Sequence, residues 1–250
     1  MIKNQDQPPQ KLSLFTKLIY GSGDWSMASF NTIRQIFYAI FLTDTVGLRP
    51  QLASLAALIG IIWDAINDPL VGSISDSART KWGRRRPFLL LFSVPFGLAF
   101  VLLWWAPPWD SQFLLFLHVT LAFMLADTLQ TLVVVPFLTL TPELTQDYDE
   151  RTSLTTFRML FNLLASLAAA AGAPEIVASF SNRQTGYLFM SAIFGALSIF
   201  PYILIFITTR ERFSQPTENQ FTPLQSFTST WKNIPFRIAT VINLLNWVTS

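Results

Sequence analysis

The sequence predicts an all-α membrane protein: a bundle of six membrane-spanning helices followed by the start of a seventh. Three observations carry that expectation. Hydrophobic residues make up 51% of the 250 residues and charged residues only 13%, with a mean hydropathy of +0.41, too apolar for a soluble domain of this length. Apolar stretches recur at roughly the 20-residue length a helix needs to cross the hydrocarbon core. Basic residues alternate by side between those stretches. The net charge of +2 is too small to mark a nucleic-acid partner, and the absence of cysteine excludes a disulfide framework or thiolate metal site.

Residues 1–16 are polar and hold no short apolar core ending in a cleavage site, so they read as a cytoplasmic N-terminal segment, with the first span as its own insertion signal. The six spans fall near 17–43, 52–75, 88–106, 112–140, 154–178 and 187–208. Residues 209–235 form a central loop, and a further apolar segment, 236–250, begins at Phe236 as the start of a seventh helix. Lys3 and Lys11 precede the first span, and Arg79, Lys81, Arg84, Arg85 and Arg86 follow the second. Arg151 follows the fourth, Arg210, Arg212, Lys232 and Arg237 surround the central loop, and the opposite loops hold only Arg49 and Arg183. The positive-inside rule therefore places the N-terminus and these basic loops in the cytoplasm, with the chain in a cell membrane, inner or plasma. Ala106-Pro107-Pro108-Trp109-Asp110 faces the other way, with aromatic residues at the interface.

The polar residues inside the spans are the candidates for function, because a lipid-facing helix would not accept them. In the second span Asp64 and Asp68 stand four residues apart, so on a helix they share one face about 6 Å apart, with Asn67 beside them. At an effective dielectric of 20 two such charges repel by roughly 3 kcal/mol. The pair should hold a proton, a metal cation or a basic partner for most of its life, and Arg34 on the first span is a candidate carboxylate partner. Asp24, Ala28, Asn31, Gln35 and Tyr38 of the first span lie within about 40° of one line, a polar stripe turned to the protein interior, with Arg34 about 80° away. The fourth span adds Asp127, Gln130 and Thr131, and Pro136 loosens its inner end. Arg158 lies a turn inside the fifth, which continues into the small-residue run from Ala168 to Gly172 that allows a close helix approach.

Spans one, two, four and five can thus line one cavity, while spans three and six read as supporting helices. Each candidate also has a plainer reading. Thr131 can bond its own helix backbone, Arg158 can snorkel to the interface, and His118 reads as interfacial. Asp76 with Arg84, Arg85 and Arg86 can form an inner gate. No nucleophile-and-base pair, phosphate loop or His/Cys metal cluster occurs, and Gly21-Ser22-Gly23 lacks the strand context of a nucleotide site, so no enzyme and no cofactor is expected.

Four stretches resemble a known family. They are Tyr20-Gly21-Ser22-Gly23-Asp24; Ile62 to Pro69; Gly72-Ser73-Ile74-Ser75-Asp76 running into Lys81-Trp82-Gly83-Arg84-Arg85-Arg86-Pro87; and Pro142-Glu143-Leu144-Thr145 through Tyr148, Arg151-Thr152 and Arg158. The chain resembles the N-terminal half of the glycoside-pentoside-hexuronide:cation symporters of the major facilitator superfamily, melibiose-permease-like, over nearly its whole length. The resemblance implies a fold in which two six-helix halves enclose a cavity, so that a second half is an expected partner beside membrane lipid. It implies that Asp64 and Asp68 bind a coupling Na⁺ or H⁺ with Asn67 and Thr131 assisting, and that Arg158 lies near a sugar substrate. Asp24, Asn31 and Asp127 join Arg158 as candidate substrate residues. Two sugar-holding aspartates of the melibiose permease align with Ala28 and Val134, and a neighbouring aromatic with Leu138, so the cation half of the site is kept while the galactoside half is changed. A related branch carries lysophospholipids, which fits a more apolar pocket. The expected function is cation-coupled symport of a sugar or glycoside. The alternatives are an inactive or split half-transporter, and symport of an amphiphile such as a lysolipid.

Overall fold

A computed structural model describes residues 11–211. Most of the expected N-terminal segment, the central loop beyond 211 and the start of a seventh helix lie outside the described residues. Among those described, six helices follow in order: α1 (Leu14–Ile40), α2 (Pro50–Ser77), α3 (Arg86–Leu103), α4 (Gln112–Leu144), α5 (Tyr148–Ala178) and α6 (Arg183–Thr208). A π-helical turn, Phe41–Thr45, extends α1. α2 to α6 are each long and apolar enough to cross a membrane; α1 has the length but carries the polar stripe.

The helix starts follow from capping chemistry, which is why several lie outside the apolar segments. Ser13 Oγ accepts from the Thr16 amide, Asp147 from Glu150 and Asn182 from Gln184, each satisfying an otherwise orphaned N–H. The cap at Asp147 starts α5 at Tyr148, about two turns before the apolar run, and Asn182 starts α6 at Arg183. α2 opens on Pro50, where a missing N–H costs nothing. α4 runs through Pro136 and Pro142 to Leu144 instead of ending near 140. Prolines also lie inside α2, α3, α5 and α6, tolerated where neighbouring helices support the freed carbonyls.

The packing has a simple order. α1 packs on α5 and α6, α4 packs on α2 and α3, and α3 packs on α6. Exchanging α1 with α4, α2 with α5 and α3 with α6 carries each of these contacts onto another of them, an approximate two-fold relation between two three-helix units that is broken by α5 packing on α6 without an equal contact of α2 on α3. The glycines mark its joints. A Cβ on Gly21 would meet the Phe157 Cβ at 2.9 Å and its backbone at 3.0 Å where α1 crosses α5, and one on Gly60 would strike the Phe123 ring where α2 crosses α4. On the axis itself a Cβ on Gly97 would lie 2.9 Å from the Gly195 carbonyl oxygen, and one on Gly195 would lie 2.8 Å from that of Gly97. That reciprocity is what a self-matched crossing of α3 and α6 requires. Around it Phe30, Phe96, Phe100 and Trp104 are buried in aromatic contact, and Trp104 stacks on Tyr187 at 5.4 Å.

α2 and α5 are the least covered helices: 22% and 17% of their apolar windows are buried, against 44–50% for α3, α4 and α6. Leu58, Ile61, Ile62, Ile66 and Leu70 on α2 and Met159, Leu163 and Leu167 on α5 are exposed. Gly195→Val should place side-chain atoms inside the Gly97 carbonyl and lower the melting temperature of the purified chain in detergent, an overpacking cost of about 1–3 kcal/mol or more. Gly72→Ala, with nothing within 4 Å of the added Cβ, should leave it unchanged or slightly raised. Equal effects of the two would contradict the close crossing.

Candidate functional site

The α2–α4 joint brings the expected cation residues together. Trp63 Nε1 donates to Thr128 Oγ1 at 3.0 Å and pins α2 to α4. Along the next turn Thr131 Oγ1 donates to Asp68 Oδ1 at 3.1 Å. Asn67 is buried, and its Nδ2 has no hydrogen-bond partner. Asp64 and Asp68 themselves are exposed, on the side of the bundle that α2 leaves uncovered. The pair therefore stands on an open face of the bundle. Water there lowers the cost of two charges until something closes over them.

Asp127 belongs to this cluster too. It is 4% exposed on α4, one turn before Thr131, beside Asn67 and close enough to Asp64 and Asp68 to interact through space. Its Oδ1 lies 3.8 Å from Arg34 Nη1, while its Oδ2 is buried without a partner. Arg34 is held between two rings, 5.6 Å from the Phe30 centroid and 5.1 Å from that of Phe123. Its ion pair is therefore with Asp127 and not with the α2 carboxylates. Asn31 accepts from Gln130 Nε2 at 3.3 Å, joining α1 to α4 beside the cluster. Among the described residues no three acidic or histidine side chains converge tightly enough to cage a metal.

At the α1–α5 joint two other candidates meet each other. Arg158 Nε donates to Asp24 Oδ2 at 2.7 Å and Nη2 to Oδ1 at 3.3 Å, a two-pronged pair between side chains 18% and 5% exposed. The Arg158 guanidinium also lies 5.1 Å over the Phe137 ring, and Tyr20 Oη donates to the Phe137 carbonyl at 2.8 Å. The four candidate substrate residues thus divide: Asp24 and Arg158 bind one another, while Asn31 and Asp127 border the α2–α4 cluster.

At the basic end Arg84 Nη2 and Arg85 Nε each lie 2.9 Å from Glu143 Oε1, and Arg85 Nη2 donates to Asp76 Oδ1 at 2.9 Å. The expected Asp76–arginine contact is present, but its centre is Glu143 on α4, with a side chain 2% exposed. Arg86 goes elsewhere, donating to the Trp82 and Phe206 carbonyls and stacking on the Phe206 ring at 4.9 Å. Glu211 fastens the same loop. Its Oε2 accepts from the Arg84 amide at 2.7 Å, and its Oε1 from those of Arg85 and Arg86 at 2.9 and 3.1 Å. Gly83 permits this approach, since φ is +110° and a Cβ would collide with the carboxylate. Nearby, Lys17 pairs with Glu150 at 3.0 Å. Sequence reasoning missed Glu143 and Glu211 as site residues. The available signals were an acid after Pro142 at the close of an apolar span and a single acid among the basic residues following the sixth.

Glu143→Gln should leave Arg84 and Arg85 without their shared counter-charge and destabilise the chain by about 3–5 kcal/mol. Asp76→Asn, at a side chain 58% exposed, should cost less than about 1 kcal/mol. Melting of the purified variants in detergent separates the two; a larger loss for Asp76→Asn would overturn the central place given to Glu143.

A family profile described as MFS/sugar transport protein matches residues 19–250. The chain is 38% identical over 184 residues to an uncharacterized symporter of Synechocystis sp., covering 69% of this chain and 34% of that protein. It is 29% identical over 206 residues to a putative glycoside/cation symporter of Escherichia coli, covering 82% and 45%. It is 28% identical over 243 residues to the sodium-dependent lysophosphatidylcholine symporter 1 of Mus musculus, covering 84% and 45%. The chain spans between about a third and a half of the length of these curated relatives. With six helices, a polar joint between α2 and α4, and a profile match over nearly all of its length, the chain belongs to the MFS/sugar transport protein family, a family of multi-pass membrane transporters.

Proposed function

We propose that the chain is the cation-binding six-helix half of a secondary symporter that couples Na⁺ or H⁺ to the uptake of a sugar or glycoside. The observation that carries this reading is the placement of Asp64 and Asp68, exposed on an uncovered face of α2 with Asp68 already bonded to Thr131. A second six-helix half packed against α2 and α5 would enclose that face and complete a cavity. Names of relatives support the chemistry, one being a glycoside/cation symporter and another sodium-dependent. The basic loop between α2 and α3 lies on the cytoplasmic side with the N-terminus, in a cell membrane. Asp76, Arg84, Arg85 and Glu143 hold the inner end closed. The coupling ion serves in place of any cofactor, and no enzymatic step is assigned.

In this mechanism an ion between Asp64 and Asp68 removes their mutual repulsion, with Thr131 and Asn67 supplying oxygen ligands. Asp127 adds attraction through space, and Arg34 offsets part of it. Relief of the repulsion lets α1, α2, α4 and α5 close around substrate, so that empty and fully loaded forms interconvert while half-loaded ones do not. Asp24 and Arg158 form the substrate side, either by opening their pair to sugar hydroxyls or by fixing the wall that meets them. A second reading, symport of an amphiphile such as a lysolipid, is favoured by the apolar Ala28, Val134 and Leu138 and by the lysophosphatidylcholine symporter among the relatives. An isolated half that binds the ion without transporting is the third.

Uptake of labelled glycoside or lysolipid into proteoliposomes, with and without a second six-helix half, distinguishes these readings. Asp64→Asn and Asp68→Asn should each abolish uptake driven by an imposed Na⁺ or H⁺ gradient; if both variants still follow the gradient, the coupling assignment fails. Ion affinity of the chain should fall about tenfold in Asp127→Asn and rise by a similar factor in Arg34→Gln, each a change of about 1.4 kcal/mol in the field at the site. Opposite signs would remove both residues from it.

A further inference from the structure

A cavity of about 440 Å³ lies at the basic end between the α2–α3 loop and the close of α6, apart from the polar joints. It is lined by Lys81, Trp82, Gly83, Arg86, Arg210 and Glu211. Three cations therefore face one carboxylate, and both oxygens of that carboxylate are already engaged by the amides of residues 84–86. The cations are not so engaged. Arg86 donates only to neutral carbonyls, of Trp82 and Phe206. Lys81 lies 5.2 Å over the Trp82 ring, and among the described residues neither it nor Arg210 makes an ion pair. Three other basic side chains at this end have acidic partners: Arg84 and Arg85 share Glu143, and Lys17 has Glu150.

We propose that this cavity is a phosphate-group site, in which Lys81, Arg86 and Arg210 surround a phosphate oxyanion. Three converging donors of positive charge, set against one carboxylate whose oxygens are both taken by backbone amides, suit a tetrahedral dianion or a phosphodiester. The position favours one source of it. Trp82 is half exposed at the lip, and the apolar stretch of α3 begins two residues after Arg86, so the cavity sits at the membrane–water boundary. The headgroup of an anionic phospholipid would reach it there, and free inorganic phosphate is the other source of the same chemistry. Because Glu211 fastens the loop through its backbone, the loop can hold this shape while its side chains take the anion. The proposal does not depend on the assignment of the coupling ion.

The test uses the purified chain in micelles that mix phosphatidylglycerol with phosphatidylcholine, with retained lipid counted by native mass spectrometry and melting followed in chloride buffer with and without inorganic phosphate. The chain should retain phosphatidylglycerol selectively, and Lys81→Gln with Arg210→Gln should reduce that retention about tenfold or more. Lys81→Arg with Arg210→Lys should keep it. The single Arg210→Gln variant gives the same reading, at smaller amplitude, where the double variant does not fold. Stabilisation by inorganic phosphate that the neutralised variant loses, without lipid selectivity, supports the site with free phosphate as its source. Absence of both responses in the unaltered chain, or their persistence after neutralisation, overturns the proposal.

Discussion

Every charge inside a membrane helix has to be matched, by another charge of the chain, by hydrogen bonds or by an ion from outside. The rest of this structure depends on how that requirement is met. Asp24 is matched fully by Arg158 in a two-pronged pair. Asp127 is matched in part: Arg34 stands 3.8 Å away on one side, and the other carboxylate oxygen is left without a partner. Among the described residues Asp64 and Asp68 pair with no arginine, and Asp68 has a threonine hydroxyl. These are three grades of compensation along one layer of helices, and the least compensated acids are the ones left accessible.

The same rule orders the supporting parts. Polar joints occur where α2 meets α4 and α1 meets α5, and the helices without such charges, α3 and α6, make the apolar contact behind them. At the basic end the charges are denser: Arg84, Arg85 and Lys17 are paired through Glu143, Asp76 and Glu150, and Glu211 is capped by backbone amides, while Lys81, Arg86 and Arg210 make no ion pair among the described residues.

The number of helices among the described residues and their approximate limits were legible in the sequence, because hydropathy reports on each helix separately. Asp64, Asn67, Asp68 and Thr131 could be grouped from spacing and from family likeness, and the Thr131–Asp68 bond agrees with that grouping. What escaped is which helix faces which. The polar stripe of α1 reads as one surface, yet Asp24 turns to α5, Asn31 to α4, and Tyr38 packs against Trp104. Arg34, set off that stripe, found Asp127 and two aromatic rings instead of the α2 acids. Glu143 escaped for a related reason: an acid at a helix end is unremarkable until two arginines from a loop almost sixty residues earlier are found on it. Helix starts shifted because capping residues such as Asp147 lie in polar sequence, where hydropathy is silent.

The reciprocal contact of Gly97 and Gly195 has a bearing on how the chain can respond to an ion. If the two three-helix units are images of one another, the α1–α5 and α2–α4 crossings are a single joint used twice with different fasteners. One copy is closed by atoms of the chain itself, Asp24 and Arg158. The other, at Asp64 and Asp68, has no such pair among the described residues. On the function proposed above, an ion bound there would find the first crossing already locked, so its work would fall on one side, at the α2–α4 crossing. Two crossings alike in packing thus become unlike in use because they carry different side chains.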